Sequence, residues 1–355
     1  MEIKKRVIYA DLLRVFSAFA VIILHVAATP WYKYNIHSTS WGMLNVIDSS
    51  VRWCVPVFFM LSGMFMLNPN KDILNKTLYR KNILKLLFLL FITALGYDIF
   101  ISILDGNIIN MSFITKSIKN IILGNVRYHL WFLYQIIGLY ILTPIIRSFI
   151  RGATKKDIEY CLIIGFIFSI LVPTMIKFYP FSTILTTAVK LNVYIGYAFY
   201  YLSGYYLSKY TLDKLIRNIL YGIGIVSLIF TIVATYQYSL IKGNPQSVFY
   251  EYLTPNVMFM SFAIFIVFKQ INKRHTENNI VNKGIVNLSK YTLGIYIIHD
   301  GVKIFLEKIN FIPINTNVLI YVPLQSIIIF IISGGIIISL KKINVIFKVK
   351  WLKSN

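Results

Sequence analysis

The segment Val7 to Ala28, V-I-Y-A-D-L-L-R-V-F-S-A-F-A-V-I-I-L-H-V-A-A, is apolar and long enough to cross a bilayer, yet it carries Asp11, Arg14 and His25. A spanning helix needs about 20 predominantly apolar residues, and a charge at the bilayer centre costs at least roughly 2.5 kcal/mol. Ionisable groups persist there when they pair with one another or perform chemistry. Arg14 and His25 are eleven residues apart. That is about three turns at roughly 3.6 residues per turn, so they share nearly one helix face, with Asp11 close to it. The segment reads as one wall of a reaction chamber. A signal peptide is the competing reading of M-E-I-K-K-R followed by an apolar run, with Ala27 and Ala28 mimicking a cleavage site. A cleavable apolar core is shorter and would not hold Asp11 and Arg14. The segment is therefore expected to stay as an uncleaved first helix.

Similar runs recur along the chain. Of the 355 residues, 57% are apolar and only 14% are charged, against about 25% charged in a soluble domain, and the mean hydropathy is +0.68. Ten candidate spans lie at about 7–28, 45–67, 84–104, 129–146, 158–176, 192–208, 218–241, 254–268, 291–309 and 317–340. The runs are continuous, which argues for helices over the alternating strands of a barrel. The expected fold class is an all-α polytopic membrane protein of about ten transmembrane helices. With the N-terminus placed in the cytoplasm, 25 of the 36 Lys and Arg fall on the inner side and 9 on the outer, with Arg14 and Arg52 inside spans. This asymmetry follows the positive-inside rule. It predicts both termini in the cytoplasm and a multi-pass location in the plasma or inner membrane. A single membrane domain would occupy 1–340, and 341–355 would form a short basic cytoplasmic tail. The longest connections, around 104–128 and 269–290, are too short for a soluble domain.

The net charge of +23 has the same origin. Membrane lipids are the expected partners of these basic loops. Nucleic-acid binding is not expected, because no basic run is interleaved with a soluble fold. Cys54 and Cys161 both sit inside apolar runs and read as small buried hydrophobes.

Several further polar residues call for an account. Asp48 and Arg52 are four residues apart and can pair across one helical turn as a structural ion pair. Asp11 is the corresponding structural partner for Arg14. Pro56 and the small pair Ser62-Gly63 suggest a kink and a close helix contact, and Gly222 and Gly224 suggest helix packing. Arg80, Lys81 and Lys85 open the third span. They read either as cytoplasmic anchors or as a clamp for the phosphates of an anionic donor. His129 and Trp131 enter the fourth span and His299 lies in the ninth. Each histidine has the alternative of being solvated or hydrogen-bonded in place. By depth, the three histidines gather in the outer half, and Arg14 gathers with the basic group in the inner half. No two histidines share ligand spacing on one helix, so no metal is expected. A neutral imidazole suits general-base catalysis, and a cationic guanidinium suits a phosphate or a developing negative charge.

Five stretches then combine: D-L-L-R at 11–14 with His25, V-P-V-F-F-M-L-S-G at 55–63, H-L-W-F-L at 129–133 with L-T-P at 142–144, Y-Y-L-S-G-Y-Y-L-S at 200–208, and Y-T-L-G-I-Y-I-I-H at 291–299. In this order they resemble the acyltransferase-3 family of integral membrane acyltransferases, over essentially the whole chain. Within it the chain is most similar to bacterial enzymes that O-acetylate surface glycans. The resemblance implies transfer of acetyl from cytoplasmic acetyl-CoA to a hydroxyl of a surface or lipid-linked glycan, with no permanently bound cofactor. Arg14 and His25 match the family's essential pair, His25 serving as base or acyl carrier. Arg80, Lys81 and Lys85 would hold the donor, although many members carry an R-x-x-R pair there. His129, Trp131 and His299 would shape the acceptor side. The rival readings are an exporter of polysaccharide or lipid-linked sugar, which would release no CoA thiol, and a ligand-sensing membrane module.

Overall fold

The computed structural model describes residues 6–70, 78–178, 192–271 and 280–343. These form α1 (Ile8–Trp31), α2 (Thr39–Val51), α3 (Cys54–Met66), a π-helical turn (Leu78–Ile83), α4 (Leu84–Leu104), α5 (Met111–Leu123) and a 3-10 turn (Tyr128–Leu130). There follow α6 (Trp131–Gly152), α7 (Lys155–Phe166), a π-helical turn (Ile167–Leu171), α8 (Val172–Phe178) and α9 (Asn192–Lys209). The remainder is α10 (Lys214–Lys242), a 3-10 turn (Val248–Tyr250), α11 (Pro255–Ile271), α12 (Ile280–Ser289), α13 (Thr292–Lys308) and α14 (Val318–Ile343). The protein is an all-α polytopic membrane protein. Each of the ten expected spans coincides with helix, and among the described residues eight stretches are long and apolar enough to cross a membrane. The other two are α9, in which six of 18 residues are tyrosine, and α13, which is 17 residues long and carries buried charges.

Two expectations need correcting, on the long connections and on Cys161, and two cations of the sidedness tally, Arg147 and Lys303, are buried. The connections at 104–128 and 269–290 are not plain loops, because they hold α5 and α12. Both helices are short, so they carry no long apolar run. Asn110 caps α5 by accepting a hydrogen bond from the Phe113 amide at 2.9 Å, and Gly124 ends it at a φ of +78°. Cys54 is buried, but Cys161 is exposed, because an apolar side chain in a membrane helix gains nothing by turning from lipid to protein. Arg147, counted above with the inner loop charges, is only 2% exposed, and its Nε donates to the Met66 carbonyl at 2.7 Å. Lys303, counted with the outer charges, is likewise buried. The basic tail lies outside the described residues beyond Ile343.

The described residues fall into two compact units. One draws on Met1–Phe65 and Ile158–Ile343, the other on Met66–Asp157. In the first unit α1 is the hub, packing against α2, α11, α12, α13 and α14. The next crossing, Thr39–Met66, is broken at Arg52 and Trp53. Pro56 has no N–H to return to the Arg52 carbonyl, and the regular pattern resumes with Val57 N–H to Trp53 O at 3.2 Å. Beside this break sits a network. Asp48 pairs with Arg52, whose guanidinium lies 4.1 Å from the centroid of the Tyr250 ring. The Tyr250 hydroxyl donates to Asn45 Oδ1 at 2.5 Å, and Asn45 Nδ2 donates to the Ile232 carbonyl at 2.8 Å. These bonds tie α2 to α10 and to the turn before α11. Above them Trp31 packs on Trp41 with centroids 4.6 Å apart and on Tyr250 at 5.2 Å.

Helices α3 and α9 meet backbone to backbone. A Cβ on Gly63 would stand 1.7 Å from the Tyr201 carbonyl oxygen, and one on Gly204 would stand 1.9 Å from that of Met60. Without a hydrophobic driving force between helices in lipid, such close approach of small residues is a main source of association. A Cβ on Gly224 would stand 2.5 Å from the Ala263 side chain, while one on Gly222 would meet nothing within 4 Å. In the second unit α4 packs against α5 and α6, and the turn Leu78–Ile83 packs against α4 and α6. The Tyr134 hydroxyl donates to the Ile121 carbonyl at 2.6 Å, and Arg151 Nε donates to that of Pro69 at 2.9 Å.

Two stability results follow. Gly63→Ala or Gly204→Ala forces a backbone carbonyl aside, so each is expected to cost at least about 1–3 kcal/mol, while Gly222→Ala is tolerated. Thermal unfolding followed by size exclusion in detergent measures this, and equal midpoints for all three would contradict the crossing. Arg52→Ala leaves the buried Asp48 carboxylate without its partner, at an expected cost of about 3–5 kcal/mol. The joint change Asp48→Leu with Arg52→Met should lose less than Arg52→Ala alone in the same assay.

Candidate active site

The start of α1 is pinned by one carboxylate. Asp11 sits in the first turn, where the helix dipole favours a negative charge, and is only 3% exposed. Arg6 Nε donates to Asp11 Oδ2 at 2.6 Å, Ser289 Oγ donates to Oδ1 at 2.8 Å, and Arg14 Nη1 reaches Oδ1 at 3.4 Å. Asp11 thus joins the entry of α1, the end of α12 and Arg14. The Arg14 guanidinium also lies 4.6 Å from the centroid of the Phe65 ring. A third of its side chain is exposed. A guanidinium held by a carboxylate and an aromatic face is a group suited to binding an anionic ligand.

Eleven residues further on, about 16 Å along the axis, His25 is half-buried on nearly the same face. Its ring stacks on that of His299 of α13, with centroids 5.2 Å apart and planes 25° from parallel. His299 is fully buried, and its Nδ1 lies 2.5 Å from the Tyr296 carbonyl oxygen. A carbonyl can only accept, so Nδ1 carries the proton and Nε2 keeps its lone pair in the neutral ring. The helix continues with further buried charge. Asp300 is fully buried, and Lys303 Nζ lies 4.0 Å from Asp300 Oδ1 and 3.4 Å from Glu307 Oε1.

The remaining sequence candidates lie in the Met66–Asp157 unit. His129 is 1% exposed in the 3-10 turn before α6, with its ring edge-on to Tyr97 at 4.9 Å and to Tyr128 at 5.7 Å. Trp131 is half-buried and edge-on to Phe132 at 6.5 Å. Arg80 and Lys81 are exposed on the turn that leads into α4, and Lys85 follows half-buried on α4. Asp48 and Arg52 serve the packing network already described. Among the described residues no group of three or more His, Cys, Asp and Glu is placed to hold a metal ion.

Sequence reasoning missed the Ser289 bond to Asp11, the burial of Arg147, and the charged stretch Asp300, Lys303 and Glu307. Asp300 and Lys303 had a usable signal, since they fall inside an expected span just as Asp11 does. Ser289 had none.

The arrangement brings two imidazole rings together within the membrane domain and sets a cation on the same face of α1, group types that acyl transfer can use. The family model for the acyltransferase-3 domain, described as an acyltransferase domain, matches residues 7–340. No curated protein and no solved structure matches the chain significantly. The match runs from the start of α1 almost to the end of α14 and includes Arg14, His25 and His299. The chain belongs to the acyltransferase-3 family and is an integral membrane acyltransferase.

Proposed function

We propose that the protein transfers acetyl from cytoplasmic acetyl-CoA to a hydroxyl of a surface or lipid-linked glycan. The observation that carries the reading is the stacked pair of His25 and His299, set on one face of α1 above Arg14. Family membership favours group transfer over the exporter reading. The excess of Lys and Arg on one side supports a cytoplasmic N-terminus and a plasma or inner membrane location.

In this reading the donor enters from the cytoplasm, its phosphates held by Arg80, Lys81 and Lys85. About 16 Å separates Arg14 from His25 along the helix, so one acyl group does not touch both. Arg14 grips the donor away from its reacting carbon, and His25 acts at the thioester. His25 takes the proton of the acceptor hydroxyl, whose oxygen attacks the acetyl carbonyl. The carbon–sulfur bond breaks, and the sulfur leaves with that proton as the CoA thiol. A two-step variant has His25 take the acetyl first and pass it to the hydroxyl. His299 holds the His25 ring by stacking, and its own orientation is set by the Tyr296 carbonyl. The acceptor-side roles of His129 and Trp131, and separately of His299, rest on the family resemblance alone.

Mass spectrometry of surface glycans from cells with and without the gene tests the reading. An acetyl group lost with the gene supports it and identifies the acceptor. Restoring the gene as His25→Ala is expected to reduce acetylation by roughly 10²–10⁴-fold at matched protein level. Arg14→Ala should raise the acetyl-CoA concentration needed for half-maximal rate. Unchanged acetylation in both variants would overturn the assignment.

A further inference from the structure

A groove of about 300 Å³ lies among α7, α9, α10 and α11, away from the histidine pair. Its wall includes Phe166, Phe199, Tyr206, Leu220, Phe259 and Phe262. Phe199 stacks on Phe262 with centroids 5.9 Å apart, and Phe166 meets Phe259 at 6.3 Å. Phe166, Leu220, Phe259 and Phe262 are only half-buried, so the groove is open to the outside of the helices. Two of its lining residues, Tyr206 and Leu207, take part in polar contacts. The Tyr206 hydroxyl donates to the Glu159 carboxylate, and Lys269 Nζ donates to the carbonyls of Leu207 and Tyr210 at 2.6 and 2.8 Å.

Cations stand close in sequence to lining positions, with Lys209 two residues after Leu207 and Lys214 two residues after Leu212. Arg217 precedes Leu220 by three residues and so shares its face of α10 one turn nearer the helix start. Lys214 begins that helix, and Lys209 ends α9 with Nζ 2.9 Å from the Tyr205 hydroxyl. Against these three cations the same stretches hold Glu159, which is engaged by Tyr206, and Asp213.

We propose that this groove seats one acyl chain of an anionic phospholipid, with its headgroup against Lys214 and Arg217. In a bilayer an apolar groove gains a chain no hydrophobic advantage, because the chain is already in hydrocarbon. Selection must come from the headgroup. A basic residue near anionic lipid is worth roughly 1 kcal/mol, or about five-fold. The chain fits because the wall is apolar and aromatic, and the anion fits because Lys209, Lys214 and Arg217 flank the lining residues Leu207, Leu212 and Leu220 in sequence. Neither Arg217 nor Leu220 belongs to the candidate active site, so this site stands or falls apart from the acyl-transfer reading.

Native mass spectrometry of the full chain in detergent, with phosphatidylglycerol and phosphatidylcholine of identical chains supplied together, tests the proposal. At least a five-fold preference for retained phosphatidylglycerol is expected. Lys214→Ser with Arg217→Ser should remove that preference, and Leu220→Trp, which narrows the groove, should reduce retention of both lipids. Equal retention of the two lipids by the unaltered protein would overturn the proposal even if a variant failed to fold. So would a preference that survives the double substitution. A dimer in light scattering that Leu220→Trp dissociates would assign the groove to a second copy and equally overturn it.

Discussion

An ionisable group on a membrane helix must be paired, and the pairing of Asp11 sets the rest of the first unit. Its carboxylate collects Arg6, Arg14 and Ser289, which neutralises the start of α1 and ties it to the end of α12. With Asp11 satisfied, Arg14 can keep a third of its side chain exposed without leaving an unpaired charge beneath it. The same helix, held by packing on five others, then carries His25 to the ring of His299. The hub and the candidate site are one element, so a structural bond at one end bears on the geometry of chemistry about three turns away.

Packing in lipid takes a different form from packing in water. The tightest contacts are between backbones, at Gly63 against Tyr201 and Gly204 against Met60. Polar groups that water would otherwise satisfy turn to main-chain carbonyls, as with Arg147 on Met66, Asn45 on Ile232 and Lys269 on Leu207 and Tyr210. The Asp48–Arg52 pair sits beside the break that precedes Pro56, each charge offsetting the other.

Much of this was legible in the residues. Continuous apolar runs located every expected span, and the charges inside them marked Asp11, Arg14, Asp48 and Arg52, which the structure holds in ion pairs. Their spacing on a helix was enough to put Arg14 and His25 on one face. Other features leave no such trace. Helices α5 and α12 are too short for a long run. A tally of positive charges cannot distinguish Arg147, which is buried on a carbonyl, from a residue in a cytoplasmic loop. Apolar surroundings did not make Cys161 buried, because lipid is itself the solvent. The meeting of His25 with His299, and of Ser289 with Asp11, joins residues more than 270 positions apart. Only the tertiary fold supplies it.

The central claim is that His25 and His299 act as one unit in acyl transfer. The most direct measurement is a double-mutant cycle on incorporation of labelled acetyl from acetyl-CoA into the membrane and surface glycans of cells making the acceptor. His25→Ala, His299→Ala and the double variant would be compared at equal protein level. Residues that act as a unit lose activity non-additively, so the double variant should be about as slow as the slower single one. Losses that multiply, or a His299→Ala variant as active as the unaltered protein, would contradict the account.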